Sequence, residues 1–327
     1  MSGRDGIIAK NRDAGPFNGR NFMKRRQFLT TSLGAVGISV LPAPGMQPIQ
    51  RAGSGRMQLG VAAYSFRDYF QWSRGKEQKP RAGRKPWGIP DFVDWCADHG
   101  VPGAEVTSYF FPPEVDRAYL LELKRHAYLR GVQLAGTAVG NNFALPKGDK
   151  LTAEIAYTKQ WIDHAAIMGA PHIRVFAGPQ PRDISTEEAV ANCQDAWREC
   201  LAHAAGQGIF LGMENHGGIV AEPANLLKMV AAVDSPWAGI NFDSGNFHTA
   251  DPYADLEKIA PYAVNVQLKM EVNRLGGSGP EPSDVKRVIK ILRDANYQGW
   301  FTLEYEKKED PFEEIPRILD MLRPLLA

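Results

Sequence analysis

Cysteine is scarce in this chain. Its three thiols, Cys96, Cys193 and Cys200, exclude a disulfide framework. Cys193 and Cys200 fall on one expected helix and read as buried small apolar residues. No Cys or His pair has the close spacing of a zinc site. Charge of either sign is not in excess: 38 Lys and Arg face 37 Asp and Glu, for a net charge of +1. Electrostatics therefore gives no ground for nucleic-acid or membrane-surface binding. No apolar run is long enough to span a bilayer. A glycine-rich phosphate turn is missing after the first strand pattern, where the chain reads AAYSFRDYF. That speaks against a doubly wound nucleotide-binding sheet. No solenoid-period repeat is visible. What remains is an ordinary globular composition, 44% hydrophobic over 327 residues, large enough for a full core.

The first 56 residues differ from the rest. Met23-Lys24-Arg25-Arg26-Gln27-Phe28-Leu29 sets paired arginines before a short apolar stretch, Leu29 to Val40, and LPAPG follows. This segment resembles a twin-arginine export signal, with its cut expected between Ala43 and Gly55. It implies handling by the twin-arginine export machinery, a periplasmic or exported location and no stable membrane insertion. The expected organisation is a leader and linker over 1–56 and one domain over 57–327.

From Met57 onward, strand and helix patterns alternate. Expected strands are Gln58–Tyr64, Ala104–Thr107, Gln133–Val139, His172–Phe176, Ile209–Glu214, Ala238–Asp243, Ala263–Lys269 and Gly299–Tyr305. Helical stretches include Asp116–Arg130, Leu151–Met168, Ser185–Ala205, Pro282–Ala295 and Ile315–Leu326. Eight βα units predict an α/β fold, a single (β/α)8 TIM barrel. Gln71–Gly88 reads as a long first βα loop on the catalytic face, a candidate lid.

Four polar side chains end four successive strands: Glu214, Asp243, Gln267 and Glu304. Two-residue alternation puts Asn241 and Asp243, Asn265, Gln267 and Lys269, and Thr302 and Glu304 on inward faces. It does the same for His172 and Arg174 and for Glu105 and Thr107. Three carboxylates at one barrel mouth repel one another unless a cation joins them. With the amide oxygen they form an oxygen-rich site for one divalent metal. The competing reading is an ion network with Lys269 and Arg174.

Several segments resemble the xylose-isomerase-like sugar isomerase/epimerase barrels, which include the ketose 3-epimerases. They are GAEV at Gly103–Val106, IRVFAG at Ile173–Gly178, ENHGG at Glu214–Gly218, FDSGN at Phe242–Asn246, VQLK at Val266–Lys269 and FTLEYE at Phe301–Glu306. The resemblance covers about Met57 to Ala327. It implies a metal bound by Glu214, Asp243, the residue at 267 and Glu304. The family has histidine where Gln267 stands. A harder amide ligand favours Mn²⁺ or Mg²⁺, with Zn²⁺ or Co²⁺ less suited. Asn246 likewise stands where epimerases often have a substrate-binding histidine. The implied chemistry is proton abstraction beside a polarised carbonyl through a cis-enediolate, with Glu214 and Glu304 as catalytic bases on opposite faces.

Expected substrate-binding residues are Glu105, Arg174, His216, Asn246, Lys269, Asn141 and Tyr64. Trp72, Trp87, Phe110 and Phe111 are candidate sugar-stacking aromatics. No phosphate nest is present, and an exported enzyme rarely meets sugar phosphates. The expected partner is therefore a small unphosphorylated sugar or keto-sugar. A lyase or hydratase of keto-glycosides and a non-catalytic periplasmic sugar-binding barrel are the alternatives. The family also implies a homo-oligomer.

Overall fold

The computed structural model describes residues 45–327. The signal-type segment expected around Met23–Val40 lies outside the described residues. Eight parallel strands close into a barrel: β1 Arg56–Ala62, β2 Gly103–Glu105, β3 Gln133–Ala138, β4 His172–Val175, β5 Phe210–Glu214, β6 Ala238–Asp243, β7 Ala263–Leu268 and β8 Gln298–Leu303. Each pairs with its sequence neighbours, and β8 returns to β1 through Arg56–Val61 against Gln298–Leu303. The helices are α1 Ile89–Asp98, α2 Arg117–Leu129, α3 Asp149–Met168, α4 Thr186–Gln207, α5 Pro223–Ala231, α6 Pro252–Ile259, α7 Val285–Asp294 and α8 Pro311–Leu326. Each follows the strand of the same number, as a (β/α)8 barrel requires.

Local chemistry explains the helix ends. Asp116 and Ser185 accept from the backbone N–H of Tyr119 and Glu188, capping α2 and α4. Gly169 and Gly208, at φ 84° and 72°, end α3 and α4 in the left-handed conformation, which costs glycine little. These stops keep the turns into β4 and β5 short.

Two-residue alternation sorts the strands as expected. Val61, Ile173, Leu211, Met213, Ile240, Phe242, Val266, Leu268, Phe301 and Leu303 are buried on the face toward the helices. The barrel interior is unusually polar. His172, Asn241, Asn265 and Thr302 are buried there. His172 fits because its neighbours lack a side chain. A Cβ on Gly212 would lie 2.5 Å from His172 Nε2, and one on Gly136 would lie 3.1 Å from Nδ1.

Residues 45–55, read as linker, run along the strands' N-terminal end. Met46 N–H donates to Val233 O at 2.8 Å and Ile49 N–H to Pro261 O at 3.0 Å. Arg51 lies over the Tyr297 ring, 5.3 Å from its centroid.

The expected lid is folded rather than open. Trp72–Ser73 and Lys76–Glu77 form a small antiparallel hairpin. Trp87 and Phe70 belong to an aromatic cluster with Phe66, Phe92 and Phe312. Phe110 stacks on Phe70, at 4.4 Å and 10°. Trp87 and Phe110, expected as sugar-stacking groups, therefore pack the base of this loop. All three cysteines are buried free thiols. Among the described residues no helix is long and apolar enough to cross a membrane.

Candidate active site

The C-terminal ends of the strands converge on a polar cavity of about 190 Å³, walled by Arg174, Glu214, His216, Lys269, Glu304 and Tyr64, with Tyr109, Phe176, Arg74 and Glu306. Glu214 is the last residue of β5, while Lys269 and Glu304 follow β7 and β8 directly.

A floor of amides carries the mouth. Asn265 Nδ2 donates to Glu105 Oε2 at 3.0 Å and also lies 2.9 Å from Asn241 Oδ1. Asn241 Nδ2 donates to Gln267 Oε1 at 2.8 Å, with Glu214 Oε2 at 3.4 Å. Gln267 Nε2 donates to Glu105 Oε1 at 2.8 Å. Burial pushes the Glu105 carboxyl up to about 7, helped by the Glu304 charge; Arg174 and the two amide donors oppose the rise.

Two buried cations stand among the carboxylates. Arg174 Nε lies 3.0 Å from Glu214 Oε2, with both side chains 5% or less exposed. The N–H points off the carboxylate, so the contact is one of charge rather than a hydrogen bond. The guanidinium also sits over the Phe176 ring at 3.9 Å. Lys269 Nζ pairs with Glu304, lies 2.5 Å from Glu306 Oε2 and 3.5 Å from Asp243 Oδ2.

Environment separates the two glutamates. Burial raises the Glu214 carboxyl, and Arg174 only partly offsets it. Burial also works against ionised Glu304, but Lys269 and Arg174 outweigh it and hold that carboxyl below its ordinary value. Asp243 is raised, mainly by burial. Its Oδ1 accepts from Gly245 N–H at 2.8 Å, while Oδ2 is buried with no hydrogen-bond partner among the described residues. Among the described residues no group of three or more His, Cys, Asp or Glu side chains forms a metal-ligand cluster by itself. The mouth differs in having an amide, Gln267, and an ammonium, Lys269, between its carboxylates.

The residues expected to bind substrate divide into two groups. Arg174, His216, Lys269 and Tyr64 line the cavity. Three others position neighbours instead. Glu105 lies beneath, holding Gln267 and Asn265. Asn246 Nδ2 donates to Glu214 Oε1 at 2.8 Å. Asn141 spends both ends of its amide on the Phe176 backbone, donating to O at 2.8 Å and accepting from N–H at 2.9 Å. Tyr109 and Arg74 were not anticipated as site residues. Tyr109 follows β2 in the aromatic run beside Phe110, and Arg74 comes from the hairpin; neither has a strand-end signature in sequence.

A model of the xylose isomerase-like TIM barrel matches residues 93–325, well over half of the chain. The protein belongs to the xylose isomerase-like TIM barrel family. Solved structures agree in fold. D-psicose 3-epimerase from Clostridium cellulolyticum H10, solved with D-tagatose, superposes with a TM-score of 0.65 at 15% identity, covering 83% of this chain and 100% of that one. The 3-keto-D-glucoside 4-epimerase of E. coli gives 0.60 at 17% identity, covering 82% and 100%. The IolI protein, solved with a bound zinc atom, gives 0.67 at 14% identity, covering 83% and 98%. No curated protein matches the chain by sequence. At these identities the structural likeness carries the family fold alone.

Proposed function

We propose that this member of the family is a sugar isomerase or epimerase that moves a proton at a carbon next to a carbonyl, through a cis-enediolate, on an unphosphorylated sugar or keto-sugar. The observation that carries this reading is that Glu214 and Glu304 open onto one small cavity, each beside its own buried cation. A carboxylate at each side of a bound carbon is what removal and return of a proton need. Arg174 and Lys269 are placed to bind substrate oxygens and to stabilise negative charge as it develops. Both cations are already balanced by carboxylates. The twin-arginine-type segment supports an exported or periplasmic location.

A divalent cation belongs to this reading, held by Glu214, Asp243, Gln267 and Glu304. The donors fit a hard ion such as Mn²⁺ or Mg²⁺. Asp243 Oδ2 is a buried oxygen with no hydrogen-bond partner among the described residues and with Lys269 Nζ 3.5 Å away. Gln267 Oε1 accepts one hydrogen bond and keeps a second lone pair. Four buried carboxylates, Glu105, Glu214, Asp243 and Glu304, face two buried cations, Arg174 and Lys269. Lys269 is the competing charge, since its ammonium already lies among Asp243, Glu304 and Glu306. When bound, such an ion polarises the substrate carbonyl and acidifies the neighbouring C–H.

The test is proton–deuterium exchange followed by NMR, in D₂O with Mn²⁺, over a panel of keto-sugars and keto-glycosides. Exchange with the carbon skeleton retained is the expected result. Release of an aglycone would instead mark a lyase, and no exchange on any member would end the enzymatic reading.

A further inference from the structure

Beside the mouth lies a larger cavity of about 510 Å³. Arg74 and Tyr109 line both cavities, so they form the partition. The mouth cavity of about 190 Å³ adjoins a further one of about 150 Å³ through Lys269, Glu304 and Glu306, whereas the larger cavity by itself lies within the roughly 300–1,000 Å³ usual for a small-molecule site.

The partition is a built feature. Arg74 and Gly75 take φ 51° and 76° at the two-residue tip joining Trp72–Ser73 to Lys76–Glu77. A turn with both residues at positive φ suits a hairpin, but its first position favours Asn, Asp or Gly over arginine. The tip is held where it is. Arg74 N–H donates to Tyr109 O at 2.7 Å, and the guanidinium covers the Tyr109 ring at 3.9 Å. Gly140 makes the room: a Cβ there would stand 2.7 Å from Arg74 Nη1 and 2.8 Å from the Tyr109 hydroxyl.

The larger cavity's wall combines aromatic side chains with a carboxylate, an amide and the Arg74 guanidinium that it shares with the mouth. Tyr157 is 38% exposed despite its size. Trp161 stands edge-on to Phe111 at 5.0 Å. Glu154 and Gln160 stand beside them. Aromatic faces take the C–H face of a ring, and a carboxylate and an amide take its hydroxyls.

We propose that this cavity is a second subsite, which takes the second ring of a glycoside whose first ring occupies the mouth. The proposal rests on reading the mouth as a sugar site, and it makes the substrate a keto-glycoside, whose ring ketone supplies the carbonyl, rather than a free monosaccharide.

Calorimetric titration of the full chain tests it, with methyl, phenyl and glycosyl glycosides of a panel of keto-hexopyranoses as probes. Stacking in the subsite should tighten binding of the phenyl or the glycosyl derivative by up to about tenfold over the methyl one. A phenyl advantage marks an aromatic aglycone, and a glycosyl advantage marks a second sugar. Ala153, an exposed position on α3, lines the cavity, so Ala153→Trp should fill it and abolish the advantage. Tyr157→Ala should do so by removing the platform. Thermal melting checks that both variants fold. Equal binding of all three probes, or an advantage that survives both substitutions, overturns the subsite. Deuterium exchange separates the two readings. Exchange without a ring advantage leaves the sugar enzyme and removes the subsite. A ring advantage lost on Ala153→Trp, without exchange on any sugar, leaves the subsite and removes the enzyme.

Discussion

Gln267 Nε2 donates to Glu105 Oε1 at 2.8 Å, and that bond decides which way the Gln267 amide points. The Glu105 oxygen accepts from the amide NH₂, which turns the carbonyl oxygen toward Asn241 Nδ2, its donor at 2.8 Å. In metal sites, a partner that orients a ligand in this way is commonly worth 10- to 100-fold in affinity.

Glu105→Gln keeps the size of the side chain but removes the demand for a donor. The Gln267 amide is then free to turn. Mn²⁺ affinity, measured by titration calorimetry, should fall by roughly 10- to 100-fold, while the thermal midpoint without metal falls little. Gln267→His should retain metal and shift preference toward softer ions such as Zn²⁺. Unchanged Mn²⁺ binding in Glu105→Gln would show that Glu105 does not orient Gln267 as a metal ligand.

Glu214→Gln and Glu304→Gln each keep an oxygen but lose the base. Turnover should drop by at least ~10²-fold in each, the usual scale for a positioned general base. If the two act from opposite faces, one variant should still wash deuterium into substrate without forming epimer. Wild-type turnover in both variants would make these carboxylates structural.

Lys269 shares the carboxylates that the metal would use. Lys269→Gln removes a buried charge and leaves its partners unpaired, a change that typically costs about 3–5 kcal/mol. In chelator the variant should therefore melt well below wild type. Added Mn²⁺ should raise its melting temperature more than that of wild type, because the competitor is gone and a ligand that binds the folded state stabilises it. An equal deficit with and without Mn²⁺ would mean that no cation takes those oxygens.

The fold was open to reading from sequence because each strand has one apolar face. Leu211, Ile240, Val266 and Phe301 alternate with inward residues, so period two gave both the strands and the faces. The strand ends also gave Glu214, Arg174, Lys269 and Glu304, which do meet at one cavity. Side-chain partners were not legible. Asn246 and Asn141 stand at the mouth in sequence, yet their amides are spent on Glu214 and on the Phe176 backbone. Arg74 and Tyr109 meet only because a hairpin folds back over the barrel, and Gly140 leaves the space. Such contacts depend on loop geometry, for which no periodicity exists.

His172 supplies a pH prediction away from the mouth. Both of its ring nitrogens are buried without hydrogen-bond partners among the described residues, and Gly136 and Gly212 flank it. Burial, aided by the nearby Arg174 charge, pushes its pKa down from 6.5 to about 3. The unfolded chain binds a proton there from about pH 6.5 downward, while the folded chain stays neutral until about pH 3. Between these values the unfolded state holds more protons, so stability falls as pH falls. The His172 contribution is fully present above pH 6.5 and is lost progressively toward pH 3, on the order of a few kcal/mol in all. His172→Leu keeps an apolar group of similar reach between the two glycines. Denaturant melts from pH 7 to pH 4 should show a shallower loss of stability in the variant, by close to one proton's worth of slope. If the two slopes coincide, the imidazole is either hydrated or already charged in the folded protein, and the acid sensitivity must come from the carboxylates at the mouth.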